Sequence, residues 1–534
     1  MATVPAGMTS TDSAAAGVPV GTGPLTRAQV LAVARDGAPV ELTPGALAAV
    51  RAARAHIEAL ATDSQPHYGV STGFGALATT HIPPARRAAL QRSLIRSHAA
   101  GAGPTVEAEV VRAMMVLRLR TLASGRTGVR PQTAEALAAL LNAGLLPVVP
   151  EHGSLGCSGD LAPLSAVALA LIGEGEVTGP DGDRRPAATA LAEHGVRPVE
   201  LAEKEGLALI NGTDGMLGML VLAVHDLAGL LDTADLTAAM STEALLGTDR
   251  AFAADLQGLR PHPGQRVSAA RMHALMAGSQ IVASHRDPGC TRVQDAYSLR
   301  CAPQVHGAAR DTTAHAVAVI DVELGSTVDN PVVLPDGRVE SNGNFHGAPL
   351  GYIADFLAIA AADVAAMAER RTDRMLDPAR SHGLPPFLAD DPGVDSGHMI
   401  AHYTQAAVVA ELKRLAVPAS VDSIPTSAMQ EDHVSMGWAA ARKLRRALAG
   451  LGTVLAVEAA TAARALELRG PLAPAPATRA AVDALRTAGV PGPGTDRHLA
   501  PELAAAERAV RGGLLRHAVT PYLDEQSTQD RRLR

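Results

Sequence analysis

A long helical pattern near the carboxyl terminus constrains the fold of this chain more than any other sequence feature. From Asp432 to about Leu468 the residues follow a helical periodicity almost without interruption. At the usual rise per residue, such a helix would be roughly 50 Å long. An alanine-rich helix of this length needs neighbouring helices to bury its apolar side. The pattern therefore predicts a mainly α fold with a core of long bundled helices.

The composition indicates how these helices pack. Hydrophobic residues make up 47% of the 534 residues, whereas aromatic residues make up only 2%. The core must therefore consist of Ala, Leu and Val, whose small side chains let helices approach closely. Charged residues, at 19%, are few for a monomer of this size, which favours burial of surface against other subunits.

Charge and cysteine content argue against several functions. The net charge is −7 without a densely basic stretch, so nucleic-acid binding is not expected. Three scattered cysteines (Cys157, Cys290 and Cys301) are too few for a disulfide framework or a zinc site, and no cluster of histidines and acidic residues has metal-ligand spacing. The N-terminus lacks the pattern of a signal peptide, and no apolar stretch of about 18 residues stands out as a membrane span. We therefore expect a cytoplasmic protein without metal or membrane contact.

Breaks in the periodicity divide the chain into regions. Residues 1–23 predict a disordered tail, and residues 526–534 predict a polar tail. Between them we expect an N-terminal domain over residues 24–215 and a central and C-terminal helical bundle over residues 216–525.

Two helix starts and two loops can be placed more closely. Thr26 predicts the N-cap of a helix over residues 27–35, and Thr43 before a proline predicts another helix to about Ala61. Two glycine-rich segments cannot form stable helices and predict loops, at residues 68–75 and 153–159.

The second loop contains Cys157-Ser158-Gly159, three residues that could cyclise to form an electrophile. Gly159 has no side chain, so its backbone nitrogen can approach the carbonyl carbon of Cys157. Ring closure and loss of water from Ser158 would give a five-membered ring with an exocyclic methylene. Protein side chains otherwise supply nucleophiles and acids, not electrophiles. The tripeptide alone is a common sequence, and an ordinary Gly-Ser turn capped by Asp160 is the alternative.

The sequence around the tripeptide resembles the signature of the histidine/phenylalanine ammonia-lyase family. The resemblance covers about residues 25 to 470 and continues, in family order, through motifs at residues 68–75, 94–101, 153–164, 204–213, 294–301, 329–331, 343–346 and 423–435. It implies a fumarase/aspartase-like helical architecture and no external cofactor. It further implies a 4-methylidene-imidazol-5-one formed from Cys157, Ser158 and Gly159, and a homotetramer whose subunits share active sites.

The resemblance also assigns roles to individual residues. Tyr68 is implied as the base that removes the β-proton of the substrate, and Arg300 as the clamp for its carboxylate. Tyr297, three residues before Arg300 and on the same face of a helix, is implied to assist at the ring. Gln294 is expected near Tyr297 and Arg300; a role at the site and a purely structural role are equally open for it. Asn211 is implied to contact the electrophile and the substrate carboxylate, with a helix cap as the alternative.

Further residues bear on the choice of substrate. Phe345 is expected to form an aromatic wall of the pocket. His98 follows Ser97, a pair found in the histidine-selective members of the family, and Gln430 with Glu431 adds to the same interpretation. Polar groups facing a substrate ring disfavour a plain phenyl group, because they would be left unpaired. The alternative for Glu431 is the cap of the long helix.

The sequence therefore predicts elimination of ammonia from L-histidine to give trans-urocanate. Two alternatives stay open: a lyase or aminomutase acting on another aromatic or imidazole-like amino acid, and an inactive binding relative. Several positions depart from the family pattern and leave room for another substrate, namely Cys157, Ala166, Gly325, His398, Leu412 and Met429. Met429 is the most consequential, because a thioether replaces an amide beside the expected site.

Overall fold

The structure is a computed structural model that describes residues 17–532, except residues 64, 74, 78, 287–289 and 291; the side chains of Ala76 and residues 524–532 are also left undescribed. It confirms the mainly α fold. Its helices are α1 Arg27–Arg35, α2 Pro44–Thr62, α3 Arg87–His98, α4 Ala108–Ala123, α5 Pro131–Asn142, α6 Leu161–Leu171, α7 Ala187–Glu193, α8 Glu205–Ile210, α9 Asp214–Ala244, α10 Ala254–Gln257, α11 Pro263–Leu275, α12 Gln280–Ala283, α13 Tyr297–Arg300, α14 Ala302–Glu323, α15 Ala348–Leu376, α16 Met399–Leu415, α17 Gly437–Glu467, α18 Pro476–Thr487, α19 Ala500–Arg511 and α20 Leu514–Arg532.

Short strands supplement the helices. The first two pair in parallel, with Val18 opposite Val40, and the others form small antiparallel pairs and one three-stranded sheet. The strands are β1 Val18–Val20, β2 Val40–Leu42, β3 Ala102–Thr105, β4 Leu146–Pro147, β5 Pro150–His152, β6 Glu176–Thr178, β7 Arg184–Pro186, β8 Val332–Val333 and β9 Val339–Glu340.

The chain forms two compact units, each assembled from separate segments. The first unit contains Met1–Val221, Asp321–Gly347 and Ser423–Trp438. The second contains Leu222–Ile320, Ala348–Asp422 and Ala439–Arg534. The first unit therefore includes loops that are distant in sequence, such as those at residues 153–159 and 423–435.

The predicted helix starts at Thr26 and Thr43 are confirmed. The Thr26 hydroxyl accepts from the backbone N–H of Gln29, and the Gln29 side chain accepts from the backbone of Thr26, which completes a capping box. Thr43 directly precedes the proline that begins α2, and its hydroxyl accepts from the backbone N–H of Ala46.

Both predicted tails differ in part from the structure. Val18–Val20 forms β1, and Val18 and Val20 are buried, so residues 17–23 are not a free tail; residues 1–16 lie outside the described residues. Two apolar side chains in three residues gave too little periodicity to predict this strand. At the other end, α20 continues through Arg532, so the polar segment from residue 526 is helical, whereas residues 533–534 lie outside the description.

The long C-terminal helix begins later than the sequence predicts. Helix α17 begins at Gly437, and residues 432–436 form a loop. Met436 adopts a φ of 51°, which is incompatible with a continuous right-handed helix. The alternative in which Glu431 caps the long helix is therefore wrong, because five residues lie between it and Gly437.

The expectation that no stretch resembles a membrane span is also wrong. By length and composition alone, helical stretches at Glu205–Ala244, Ala348–Leu376 and Gly437–Glu467 could cross a membrane. The most apolar window of each is 100%, 61% and 78% buried within the protein, respectively. Helices built from Ala, Leu and Val have the same composition whether they are covered by protein or by lipid.

A buried ion pair lies in the core of the second unit. Arg371 and Glu458 have fully buried side chains, and Nη2 of Arg371 donates to Oε2 of Glu458 over 3.0 Å. The hydroxyls of Thr237 and Ser241 also donate to this carboxylate, at 2.7 and 2.8 Å. Arg371 further donates to the carbonyl of Ser298 in α13. The pair thus ties α9, α15 and α17 to the helix that carries Tyr297 and Arg300.

We predict that Glu458→Ala lowers the free energy of unfolding by about 3–5 kcal/mol, because it leaves the Arg371 guanidinium buried without a counter-charge. Denaturant unfolding followed by circular dichroism measures the change. Glu340→Ala removes one partner of the exposed Arg338–Glu340 pair and should change stability by less than about 1 kcal/mol. Equal effects of the two substitutions would contradict this description of the core.

Candidate active site

The loop before α6 brings Cys157, Ser158 and Gly159 into a fixed place in the first unit. The carbonyl of Gly156 accepts from the Ser435 hydroxyl at 2.8 Å and from the backbone N–H of Gly347 at 2.9 Å. The carbonyl of Leu155 accepts from the N–H of Met436 at 2.9 Å. Two distant segments therefore hold the loop by its backbone.

Gly159 occupies a position that admits no side chain. Its φ is +78°, and a Cβ atom there would lie 2.2 Å from the carbonyl oxygen of Gly212. The same carbonyl accepts from the N–H of Asp160 at 2.7 Å. Glycine is required here both for the left-handed backbone and for the close approach. This geometry fits a residue whose own backbone nitrogen must be accessible to a neighbouring carbonyl carbon.

Asp160, the residue after Gly159, is fixed by hydrogen bonds to its side chain. Its fully buried carboxyl accepts from the N–H groups of Gly215 and Met216 at 2.9 and 3.0 Å and from the Ser154 hydroxyl at 2.9 Å. Burial raises its pKa to about 7, and the charge of Asp214 adds to the rise while these donors oppose it. The capping role considered from sequence is wrong: Asp160 precedes α6, but its side chain makes no capping hydrogen bond there and instead binds N–H groups at the start of α9.

Glu431 lies directly beside the tripeptide. Its Oε1 accepts from the Ser158 hydroxyl at 2.9 Å. Its Oε2 accepts from the Thr426 hydroxyl at 2.9 Å and from the Cys157 thiol at 3.4 Å. The structure thus brings together two predicted site residues that are 273 positions apart in the sequence.

A strained loop presents Glu431 to this position. Ser427, Ala428 and Met429 have φ values of 52°, 53° and 68°, a conformation that costs non-glycine residues about 1 kcal/mol or more each. Thr426 and Glu431 close the loop, since the N–H of each donates to the carbonyl of the other. Gln430 and Met429 are exposed on this loop, so the thioether that departs from the family pattern does not fill the interior of the unit.

Tyr68 is positioned by its neighbours. Val70 is buried in a small apolar cluster with Ile57 and Val333. Gly69 has a φ of +75°, and a Cβ atom there would lie 2.9 Å from a methyl group of Leu207. The Tyr68 hydroxyl accepts from the N–H of Gly75 at 3.2 Å. This hydrogen bond fixes the phenol oxygen of Tyr68 relative to the backbone of its own loop.

His98, at the end of α3, has a defined hydrogen-bonding polarity. Its Nδ1 lies 2.9 Å from the carbonyl of Leu94, which can only accept. The neutral ring therefore carries its proton on Nδ1 and offers Nε2 as an acceptor. Burial lowers the pKa of His98, against the opposing effects of the Leu94 carbonyl and the charge of Glu431, so the neutral ring is favoured.

Asn211 and Phe345 complete the predicted residues of the first unit. Asn211 follows the last residue of α8, so it does not begin a helix, and its buried side-chain oxygen has no hydrogen-bond partner among the residues that the structure describes. A buried unpaired amide oxygen is costly, which makes it a candidate to contact a ligand. Phe345 is half-buried and lies two residues from Gly347, whose N–H binds the tripeptide loop.

The other predicted residues belong to the second unit. Tyr297 and Arg300 share one face of α13, as predicted, and the guanidinium carbon of Arg300 lies 4.7 Å from the Tyr297 ring centre. Nε of Arg300 donates to the carbonyl of Asp295 at 3.0 Å. Tyr297 is 70% exposed, and Gln294 is exposed at the rim of a cavity of about 200 Å³.

Two departures from the family pattern lie in helix packing of the second unit. His398 is buried, its Nδ1 lies 3.1 Å from the Thr461 hydroxyl, and burial, with smaller effects of nearby arginines, lowers its pKa to about 3. Leu412 is buried in α16 and packs on Gly450 of α17. Both are explained as interior residues of the unit.

The sequence did not indicate which residues hydrogen-bond to the predicted site residues and hold them in position. Thr426, Ser435 and Gly212 contact the predicted residues through backbone groups or a single hydroxyl. The motifs containing them were identified, but nothing in the pattern indicates which polar residue points inward. Within the described residues, no group of three or more His, Cys, Asp or Glu residues could hold a metal ion.

Comparison with known proteins identifies the family of the chain. The profile of the family described as aromatic amino acid lyase matches residues 25–487. The chain belongs to the aromatic amino acid lyase family. Histidine ammonia-lyases from Streptomyces coelicolor and Streptomyces griseus are 66% and 65% identical over 498 and 506 residues, which cover 93% and 94% of this chain and 97% and 98% of theirs.

Solved structures of the family have the same fold. Histidine ammonia-lyase from Trypanosoma cruzi has a TM-score of 0.87 at 38% identity, covering 95% of this chain and 96% of that one. A tyrosine aminomutase from Streptomyces globisporus has a TM-score of 0.89 at 39% identity, covering 95% and 99%. These similarities confirm the family and the helical architecture predicted from the sequence.

We predict that Asp160 makes the free energy of unfolding decrease as the pH rises. Its folded pKa, about 7, lies above the reference value of 3.8, so its contribution is complete below pH 4 and is lost as the pH passes 7. Asp160→Asn keeps the acceptor for Gly215 and Met216 and should flatten this decline in denaturant titrations between pH 5 and 8. Asp336→Asn, at an exposed position, should leave the decline intact. An unchanged slope in Asp160→Asn would contradict the protonation assigned to this carboxyl.

Proposed function

We propose that this chain is a histidine ammonia-lyase, a carbon–nitrogen lyase that converts L-histidine to trans-urocanate and ammonia. The observation that carries the proposal is the contact of Glu431 with both Cys157 and Ser158, which places a carboxylate at the expected electrophile. The identity of 66% to proteins named histidine ammonia-lyase, over nearly the whole chain, supports the same substrate.

The electrophile is proposed to be a 4-methylidene-imidazol-5-one made from Cys157, Ser158 and Gly159, with no external cofactor. In its formation, the nitrogen of Gly159 bonds to the carbonyl carbon of Cys157, and the carbonyl oxygen leaves as water with the amide protons of Ser158 and Gly159. Ser158 then loses its hydroxyl and its α-proton as a second water. The ring would supply an electrophilic carbon for the amino group of the substrate. The left-handed, side-chain-free position of Gly159 fits this closure.

The polarity of the site fits an imidazole ring. Nε2 of His98 and the carboxylate of Glu431 are both acceptors, which matches the two N–H groups of an imidazolium. A phenyl ring would leave both acceptors without a donor. A cationic ring also withdraws electrons from the β-carbon, which makes its proton easier for Tyr68 to remove. This supports histidine over phenylalanine as the substrate.

The remaining roles are assigned on chemical grounds. Arg300 is proposed to bind the substrate carboxylate, since its guanidinium is permanently charged and can form two parallel hydrogen bonds. The unpaired amide of Asn211 is proposed to contact the same carboxylate or the amino group. Tyr297 and Gln294 are proposed to assist at the ring, and Phe345 to limit the pocket.

An amino-acid panel tests the substrate. Ammonia release from L-histidine should exceed release from L-phenylalanine by at least about 30-fold in kcat/KM, because two acceptors are left unpaired at about 1–3 kcal/mol each. It should exceed release from L-tyrosine, whose hydroxyl can serve one acceptor, by at least about 5-fold. Product analysis should find trans-urocanate. The Ser158→Ala variant, which cannot form the methylidene, should lose nearly all activity while remaining folded.

Several outcomes would overturn the proposal. Full activity of Ser158→Ala would remove the electrophile from the mechanism. A preference for tyrosine would reassign the substrate. Accumulation of a β-amino acid would favour an aminomutase, the activity named for the Streptomyces globisporus relative.

We also propose a cytoplasmic homotetramer with shared active sites. In the second unit, α14 and α15 carry an apolar groove of about 600 Å³ that includes Val305, Phe356 and Ile359. Phe356 is 47% and Ile359 46% exposed, and Tyr352 on the same helix is also exposed. Contiguous exposed apolar side chains of this kind favour association. The 70% exposure of Tyr297 supports a site that a second copy completes, because proton transfer at the ring requires exclusion of water.

Phe356→Glu should therefore dissociate the assembly, because it places a charge in an apolar contact. Light scattering after gel filtration measures the mass, and we expect a shift from four copies to fewer, together with loss of activity. Leu259→Glu changes an apolar residue outside the groove that is even more exposed, at 84%, and should leave the mass unchanged. A monomeric parent protein, or a tetrameric Phe356→Glu variant, would contradict the proposed assembly.

A further inference from the structure

The two oxygens of the Glu431 carboxylate are bound differently. Oε1 accepts only from the Ser158 hydroxyl among the described residues, at 2.9 Å. Oε2 accepts from the Thr426 hydroxyl at 2.9 Å and from the Cys157 thiol at 3.4 Å. Each oxygen therefore depends on a different set of donors.

Formation of the proposed electrophile would remove only one of these donors. The Ser158 hydroxyl leaves as water, so Oε1 loses its donor. The thiol of Cys157 takes part in none of the bonds that form or break, since closure uses only the carbonyl carbon of that residue. After closure, Oε2 keeps both donors and Oε1 has a vacant acceptor site.

We propose that Cys157 is a positioning residue: its thiol, with Thr426, holds Oε2 of Glu431 so that Oε1 stays directed at the place left by the Ser158 hydroxyl, where it accepts an imidazole N–H of the substrate. The inference rests on the proposed function and deepens it. It assigns a role in substrate recognition to the side chain of a residue that the ring chemistry needs only for its backbone.

The thiol is suited to this role because it remains a donor. Burial raises the pKa of Cys157 to about 11, and the neighbouring charge of Glu431 adds to the rise. A protonated thiol donates a weak hydrogen bond, whereas a thiolate would repel the carboxylate. Cys157 is 6% exposed, so water has little access to replace it.

The strain of the loop explains why Glu431 needs a second tether. Three residues with positive φ precede it, and the backbone of Thr426 pairs with that of Glu431 to close the loop. If Thr426 were the only donor to the carboxylate, the side chain could rotate about its terminal bonds and exchange its oxygens. The thiol contacts the same oxygen from the tripeptide side and so opposes this rotation.

Binding measurements in the Ser158→Ala background test the inference without any turnover. This background cannot form the electrophile and has no hydroxyl at Oε1. Calorimetry with trans-urocanate would compare the Ser158→Ala parent with double variants that also carry Cys157→Ala or Cys157→Ser. We expect Cys157→Ala to weaken binding about 5- to 10-fold, as for loss of one hydrogen bond. Cys157→Ser, which keeps a donor, should stay within about 3-fold of the parent.

Cinnamate is the matched control ligand, because it replaces the imidazole with a phenyl ring. Cys157→Ala should change its affinity by less than about 2-fold. Unchanged urocanate binding in Cys157→Ala, or equal weakening for both ligands, would overturn the role of the thiol. A Ser158→Ala parent that binds neither ligand would instead contradict the proposed function.

The single variant Cys157→Ala gives a second readout. Its intact mass should still lie two waters below the value calculated from its sequence, because closure does not use the thiol. Its KM for histidine should rise more than its kcat falls. An unshifted mass would overturn the inference, since the side chain would then be needed for closure itself.

Discussion

The contact between the backbones of Gly159 and Gly212 is the constraint on which the candidate site depends. A Cβ atom on Gly159 would lie 2.2 Å from the Gly212 carbonyl oxygen, and one on Gly212 would lie 2.4 Å from the Arg118 guanidinium. The N–H of Asp160 donates to the same Gly212 carbonyl, and the Asp160 carboxyl accepts from the first turn of α9. The N–H and the carboxyl of Asp160 therefore attach the tripeptide to the segment that carries Asn211 and begins α9.

Glu431 connects this rigid loop with a strained one. The conformation of Ser427, Ala428 and Met429 is unfavourable in isolation, and the pairing of Thr426 with Glu431 offsets part of its cost. The carboxylate then contacts Cys157 and Ser158. The position of the side chain that is proposed to recognise the substrate is thus set by contacts with the residues that are proposed to become the electrophile.

The periodic parts of the fold could be predicted from sequence for physical reasons. Thr26 and Thr43 can bind the first N–H groups of a helix, and glycine-rich segments disfavour helices, so helix starts and loops were placed correctly. The start of α17 could not be predicted, because the residues after Asp432 have helical spacing and the positive φ of Met436 is imposed by its surroundings. β1 was missed because three residues carry too little pattern.

The residues of the candidate site also divide into those that could be predicted from the sequence and those that could not. Residues whose chemistry is distinctive, such as Tyr68, Ser158, Arg300 and Glu431, could be selected from motifs. The partners of those residues could not, because Thr426 and Gly212 act through one hydroxyl and one carbonyl that any similar residue also has. The polarity of His98 also needed the structure, since the contact of Nδ1 with the Leu94 carbonyl indicates which ring nitrogen is protonated.

The proposed reaction depends on the closure of Cys157, Ser158 and Gly159 into a ring. Mass spectrometry of the purified chain and of the proteolytic peptide that contains these residues tests it most directly. We expect a peptide two waters lighter than its sequence, and a Ser158→Ala peptide that lacks the second loss because it has no hydroxyl to eliminate. A wild-type peptide at its full calculated mass, from an enzyme that releases ammonia, would show that the ring does not form.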